Sequence, residues 1–330
     1  MTDSLHNSFG HAQGVKFASI DIGTNAVRLL LSRVIQNGGA PLFKKESLVR
    51  IPIRLGEDVF SVGAISDQKK RSLVRTMVAY KNLMEAYGST DYLACATSAM
   101  READNGNEVI EAIRNEAGIE LEVIDGRREV EIICRNRPLP GLEKVRCFLH
   151  VDVGGGSTDI AVFSDNQVAE SCSFRIGGVR ILADGVDKDE WKGMKRWVKE
   201  VTASYRPSSL VGSGGNINKA FSMSRKKEGE SISCKKLSGI FKELRKHSYE
   251  ELIRNFQMRS DRADVIVPAL DIYLSIMKWA KAKEMVVPVQ GLPDGLIHLL
   301  YEKHLQTSSE PENDDESTSI ESWDAESEQE

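Results

Sequence analysis

No apolar run in this chain is long enough to span a membrane; its longest apolar stretches are strand-sized, well under the roughly 18 residues a spanning helix needs. The opening residues are polar and lack the basic start and apolar stretch of a secretory leader, so none is expected. Cysteine is scarce: five in 330 residues, an odd number with no C-x-x-C pair. That argues against a disulfide framework or a zinc site and for reduced thiols in a cytoplasmic protein. Familiar catalytic signatures are missing too. There is no G-x-x-x-x-G-K-[ST], no strand-borne G-x-G-x-x-G and no H-E-x-x-H, and the absence of G-x-S-x-G excludes a serine-hydrolase elbow.

The length of 330 residues and the 41% hydrophobic content allow a substantial core divided between two domains. The net charge of −5 hides an asymmetry. Residues 306–330 hold ten Asp/Glu and no Lys/Arg, which leaves +5 for residues 1–305. With no apolar periodicity, this tail cannot recover its ordering entropy by burial, and it reads as a disordered, solubilising extension. A mildly basic body suits an anionic ligand.

One phrase is written twice. "IDIGTNAVRLLL" (20–31) and "VDVGGGSTDIAVF" (151–163) both run apolar–Asp–apolar–Gly, a short polar cluster, then a strand-like apolar stretch. Around the first copy the pattern predicts three strands, with the third over 42–54. A helix N-capped by Ser66 follows, with Leu73, Met77, Tyr80, Met84 and Tyr87 at helical spacing, and then strand, helix and strand. Around the second copy it predicts three more strands, a helix near 187–204, the strand "SLVGSGG", helices over 215–222, 235–256 and 261–282, the strand "EMVVPV" and a final helix from about Asp294. The fold class is therefore α/β, with the architecture duplicated. The expected domains are a flexible segment 1–14, a first unit over 15–135, a second over 136–305 whose final helix is free to pack back on the first, and the acidic tail over 306–330. The break falls in the Pro/Gly-rich loop 135–144.

Three consecutive glycines weaken a strand-rich segment unless something requires them. Gly154, Gly155 and Gly156 let the backbone approach a ligand and line up N–H groups around an anion, and Ser157 and Thr158 add hydroxyls. A tight hairpin turn is the plainer reading. Asp21 and Asp152 each close an apolar strand, where an unpaired carboxylate is costly. Together they suggest a shared magnesium ion held partly through water, against the plainer reading that each caps its own turn.

In order along the chain, "IDIGTNAVRLLL", "ATSAMREADNGNEVI", "IDGRREVEII", "VDVGGGSTDIAVF" and "RIGGVRI" resemble the exopolyphosphatase/guanosine pentaphosphate phosphatase family. The likeness covers about residues 16–304, with "VGSGGNINKAF", "SDRADVIVPAL" and "GLPDGLI" similar to later family landmarks. The resemblance implies two ribonuclease-H-like (actin-like ATPase) domains around a cleft, in the short two-domain form. It also implies hydrolysis of a terminal phosphate from polyphosphate or guanosine pentaphosphate. Under it, Glu129 positions or activates the attacking water, Arg101 holds phosphate, and Asp152 coordinates metal or water. Thr24, Asn25 and Gly154 to Ser157 form two phosphate loops, and Asp21, Asp152 and Asp159 are the magnesium candidates. From the residues alone Glu129 reads as an ordinary helix-surface carboxylate, and Arg101 as half of a surface ion pair.

The chain departs from that family in places. Arg128 stands where a second glutamate is customary, and a cation there is expected to favour ionised Glu129. Asp159 replaces a glutamate, and "GTNA" replaces "GSNS". The basic segment 225–246 could track a long polyanion, though a solvated helix face is the plainer reading. Trp191, Met194, Trp197 and Val198 read as core. Two alternatives stand beside the hydrolase: an ATP-dependent kinase of the same superfamily, and a non-catalytic polyphosphate or alarmone sensor. No membrane or specific nucleic-acid partner is expected, and a homodimer is left open.

Overall fold

The computed structural model describes residues 14–309, except 37, 136–140, 143, 166, 184 and 228. The N-terminal segment, most of the acidic tail and the centre of the 135–144 loop thus lie outside the described residues. The first half holds β1 (Val15–Ile22), β2 (Val27–Ile35), β3 (Leu42–Ile51), α1 (Leu55–Val62), α2 (Asp67–Tyr87), β4 (Asp91–Ala96), α3 (Ser98–Glu102), α4 (Gly106–Ala117), β5 (Glu122–Val123) and α5 (Gly126–Ile133). Next come β6 (Cys147–Val153), β7 (Thr158–Ser164), β8 (Gln167–Phe174), α6 (Gly178–Leu182), α7 (Lys188–Tyr205), β9 (Ser209–Ser213) and α8 (Gly215–Ser224). The chain continues through β10 (Ser231–Ser233), α9 (Cys234–Leu244), α10 (Tyr249–Phe256), α11 (Ser260–Ala263), α12 (Ile266–Trp279), β11 (Glu284–Val286) and α13 (Leu292–Ser309).

The strand orders are β3-β2-β1-β4-β5 and β10-β11-β9-β6-β7-β8. Each sheet opens with a three-stranded antiparallel meander, and its next strand runs parallel to the first: β4 beside β1, β9 beside β6. The written echo is therefore a topological one. Strand periodicity explains the burial of β1 on both faces. Ala18, Ile20 and Ile22 pack with Leu73, Met77 and Ile113 of α2 and α4, whereas Phe17, with Leu30 and Val34 of β2, packs against Ile297, Leu300 and Tyr301 of α13. The final helix does return to the first sheet, starting two residues earlier than expected.

Helix α2 begins where Ser66 accepts a hydrogen bond from Lys69 N at 3.4 Å, and Gly88 ends it in the left-handed conformation. The continuous helix predicted over 235–256 is broken, because Ser248 and Glu251 form a capping box that starts α10. The stretch 261–282 is likewise split into α11 and α12, and α1, α6 and β10 are too short for periodicity to reveal. Met194 and Val198 are fully buried in the second core, with Trp191 and Trp197 packed at its edge. Cys95, Cys147, Cys172 and Cys234 are free thiols. No helix among the described residues is long and apolar enough to cross a membrane.

Candidate active site

Between the sheets lies a cavity of about 460 Å³ that receives the C-terminal ends of β1 and β6. The two echoed aspartates meet different neighbours there. Asp21 faces Arg28 across the β1–β2 ladder and accepts a hydrogen bond from its Nη1 at 2.9 Å. Asp152 faces Asp159 across β6–β7 and accepts from Ser213 Oγ. Asp159 Oδ2 accepts from Ser157 Oγ at 3.0 Å, and its Oδ1 is buried without a hydrogen bond. One copy of the phrase thus pairs its acid with a base; the other sets two acids side by side.

The loops after these strands touch. Thr24 Oγ1 hydrogen-bonds Ser98 Oγ at 2.8 Å, and its methyl presses on Gly155 so closely that a Cβ there would lie 2.8 Å from it. Gly154, Gly155 and Ser157 line the cavity, while Gly156 packs behind them against Phe60 and Ser98. Asn25 also lines it, but its Nδ2 donates to Asp261 O and Oδ2 at 2.6 and 3.2 Å. Arg101, expected to hold phosphate, is not among the lining residues; its Nη1 donates to Ile124 O at 2.6 Å.

Glu129 enters from a helix shared by both halves. On α5 and its C-cap, Val130 and Cys134 pack on the second sheet beside Phe148 and Phe163, whereas Ile132 and Ile133 pack with Cys95, Leu292 and Leu296. The helix starts where Asp125 accepts from Arg128 N at 2.7 Å, and Gly126 sits so close to Asp159 that a Cβ would fall 1.8 Å from its Oδ1. This fit points Glu129 into the cavity. The carboxyl of Glu129 is held well above its usual range, first by burial and then by the charges of Asp159, Asp152 and Asp21, with Arg101 opposing. Arg128, expected to favour ionised Glu129, turns its guanidinium to Glu131 at 3.8 Å and is not among the leading influences on Glu129, whose carboxyl is raised on balance. Burial is also the main cause that raises Asp21 and Asp159 and pushes Asp152 up to about 6.

Asp152 and Asp159, cross-strand neighbours raised by burial, one with a buried unpartnered oxygen, are the carboxylates that fit a hard divalent cation. Among the described residues no group of three or more His, Cys, Asp or Glu side chains is arranged to hold a metal ion by itself.

The cavity also carries bases that sequence reasoning did not single out: Arg28, Lys45, Arg50, Lys219, Arg259 and Arg262. Arg28 stood inside the quoted phrase, opposite Asp21, Lys219 inside "VGSGGNINKAF" and Arg262 inside "SDRADVIVPAL"; Arg50 gave no local signal. Arg50 is bound by buried Asp261, yet its Nε and Nη1 are buried without partners. Burial, with Arg50 and Arg28 nearby, drives the Arg262 guanidinium down to about 10. Crowded guanidinium groups of this kind favour an anion with many oxygens.

The family model described as the Ppx/GppA phosphatase family matches residues 41–304. The chain belongs to that family. "Exopolyphosphatase 1" of Mycobacterium tuberculosis is 28% identical over 176 residues, covering 53% of this chain and 50% of that protein; the chain thus spans about half the length of that Ppx/GppA relative. "Putative exopolyphosphatase" of Haemophilus influenzae is 21% identical over 327 residues, covering 93% of this chain and 98% of that one. Among solved structures, an exopolyphosphatase from Cytophaga hutchinsonii superposes with a TM-score of 0.76 at 23% identity, covering 87% of this chain and 98% of that chain. This likeness establishes the fold, and the duplicated sheets are the two ribonuclease-H-like, actin-like units of the Ppx/GppA family.

Proposed function

We propose that this protein is a magnesium-dependent phosphohydrolase that removes the terminal phosphate of inorganic polyphosphate. The observation that carries the reading is Glu129: a carboxyl with a raised pKa, facing a cavity that combines a glycine loop with clustered arginines. A carboxylate of raised proton affinity removes a proton more effectively, and a positioned base supplies roughly 10²–10⁴-fold. Glu129 takes a proton from a water molecule, whose oxygen attacks the terminal phosphorus. The bridging P–O bond breaks, and the shortened chain leaves with that oxygen.

Amides of Gly155, Gly156 and Ser157 and the hydroxyl of Thr24 hold the transferred phosphoryl, while Arg28, Arg50 and Arg262 hold the following phosphates. Arg101 acts from behind the cavity wall through its charge on Glu129 and Asp159. Asp152 and Asp159, opposite each other across β6–β7, would hold the magnesium ion. The ion would neutralise charge on phosphate oxygens.

Polyphosphate is favoured over guanosine pentaphosphate because six Arg and Lys side chains line the cavity, which suits a ligand made of repeated phosphates. The relatives named exopolyphosphatases support the same choice. Parallel assays of orthophosphate release from polyphosphate and guanosine pentaphosphate, with magnesium and with chelator, test it. Magnesium-dependent release, faster from polyphosphate, is expected. Tight binding with no turnover, or turnover only with a sugar or acid acceptor, would replace the hydrolase with a sensor or a kinase.

A further inference from the structure

The carbonyls of the glycine loop are all captured from one side. Gly178 N donates to Gly154 O at 3.1 Å, and Val179 N and Arg180 N donate to Gly155 O at 2.8 and 3.0 Å. Arg180 Nε donates to Gly156 O at 2.7 Å. In a planar trans peptide, the C=O of one residue and the N–H of the next point in opposite directions. Each captured carbonyl therefore turns the following N–H away from α6. Those N–H groups, on Gly155, Gly156 and Ser157, make no backbone hydrogen bond among the described residues, the arrangement of an anion-binding nest.

Arg180 is the one side chain in this clamp, and it crosses between the halves. It is only 4% exposed, and its Nη2 donates to Glu102 Oε1 at 2.6 Å. Glu102 also accepts from Arg175 at 2.7 Å. The guanidinium of Arg180 lies 3.8 Å from the ring centre of Phe60, and that ring backs Gly156, where a Cβ would come within 2.5 Å of it. Glu102 lies on α3, the helix that carries Ser98, whose hydroxyl holds Thr24 of the first loop. The path from one loop to the other runs Gly156, Arg180, Glu102, α3, Ser98, Thr24.

We propose that Arg180 is a positioning residue: with Glu102 it holds the amides of the second phosphate loop in register with Thr24 and Ser98, so that both loops close on one phosphoryl group. This rests on the reading of the loop as a phosphate site.

Arg180→Met keeps the aliphatic stem and removes the fork. The expected result is a fall in kcat on polyphosphate of about 10²-fold, the scale of one lost preorganised donor, with KM within about threefold because the arginines that hold the chain are untouched. Arg180→Lys can keep the pair with Glu102 and recovers about tenfold of that loss; it carries the comparison if the methionine variant does not fold. A second readout follows the amide resonances of Gly155 and Gly156 during titration with tripolyphosphate and magnesium. They shift saturably in the wild type and lose that response in Arg180→Met.

A folded Arg180→Met with kcat within twofold of wild type overturns the proposal. So does an equal loss in both variants that tracks a collapse in melting temperature, because Arg180 would then be merely structural. Wild-type amides that do not respond overturn it whatever the activity. If those amides respond as predicted but no phosphate is released, the hydrolase reading fails and the positioning role stands.

Discussion

The tightest joint in the site is Gly126, and one methyl group there tests how Glu129 is placed. In Gly126→Ala the new Cβ would lie 1.8 Å from Asp159 Oδ1, 2.8 Å from its Cγ and 3.0 Å from Ser173 Cβ. The shortest of these is about 1.6 Å inside ordinary contact. Asp159 is buried on β7, in the ladder with β6 and β8, so it cannot swing into solvent, and α5 must move instead. Overpacking of this kind costs about 1–3 kcal/mol, a fall of roughly 5 °C in melting temperature for a chain of this size. The larger effect falls on chemistry. Glu129 lies one turn along the same helix, and a displacement near 1 Å from productive geometry costs about 10²-fold in rate. Thermal unfolding followed by circular dichroism, together with orthophosphate release, measures both. A variant with wild-type stability and kcat would refute the claim that the Gly126–Asp159 contact sets the position of Glu129.

The buried carboxylates predict a pH dependence of stability. Because Asp152 is raised to about 6 in the fold, the folded chain holds that proton more tightly than the unfolded chain between roughly pH 4 and 6. Metal-free stability therefore falls as pH rises through that window, by up to about 3 kcal/mol from this group. Asp152→Asn should flatten the slope, as should saturating magnesium; denaturant unfolding at several pH values reads it, and stability that rises with pH across the window in the metal-free wild type would contradict it. Removing Arg262 should raise KM for polyphosphate and reduce the slope of log KM against log salt by about one unit, as measured by initial rates across an ionic-strength series. An unchanged slope would mean that Arg262 does not meet the phosphate chain.

Sequence reasoning reached the duplicated fold because each half repeats a local phrase with strand periodicity, and β1 and β6 display it openly. It reached the carboxylates and the glycine loop because Asp21, Asp152 and Gly154–Gly156 break the rules for buried strands, and such breaks mark sites. It did not foresee the arginines. Arg50 and Arg262 come from segments far apart in the chain, and only the packing of α11 against the end of β3 brings Asp261 to Arg50. Nor could spacing show that Arg128 leans toward Glu131, because residues three apart on a helix are as available as the neighbour one position on. The state of Glu129 depends on its burial and on three carboxylates gathered from two sheets, with Arg101 opposing, a sum that no window of sequence contains.

The central claim is that Glu129 removes the proton from the attacking water. Glu129→Gln keeps size and shape and abolishes the base, so kcat for magnesium-dependent release of orthophosphate from polyphosphate should fall at least about 10²-fold with the melting temperature unchanged or higher. The same comparison read across pH should show the wild-type kcat/KM lost on the acid side at a pH above 4.5, because Glu129 is raised from that value, and no such limb in the residual activity of the variant. A folded Glu129→Gln that releases phosphate at the wild-type rate with the same acid limb would contradict the account.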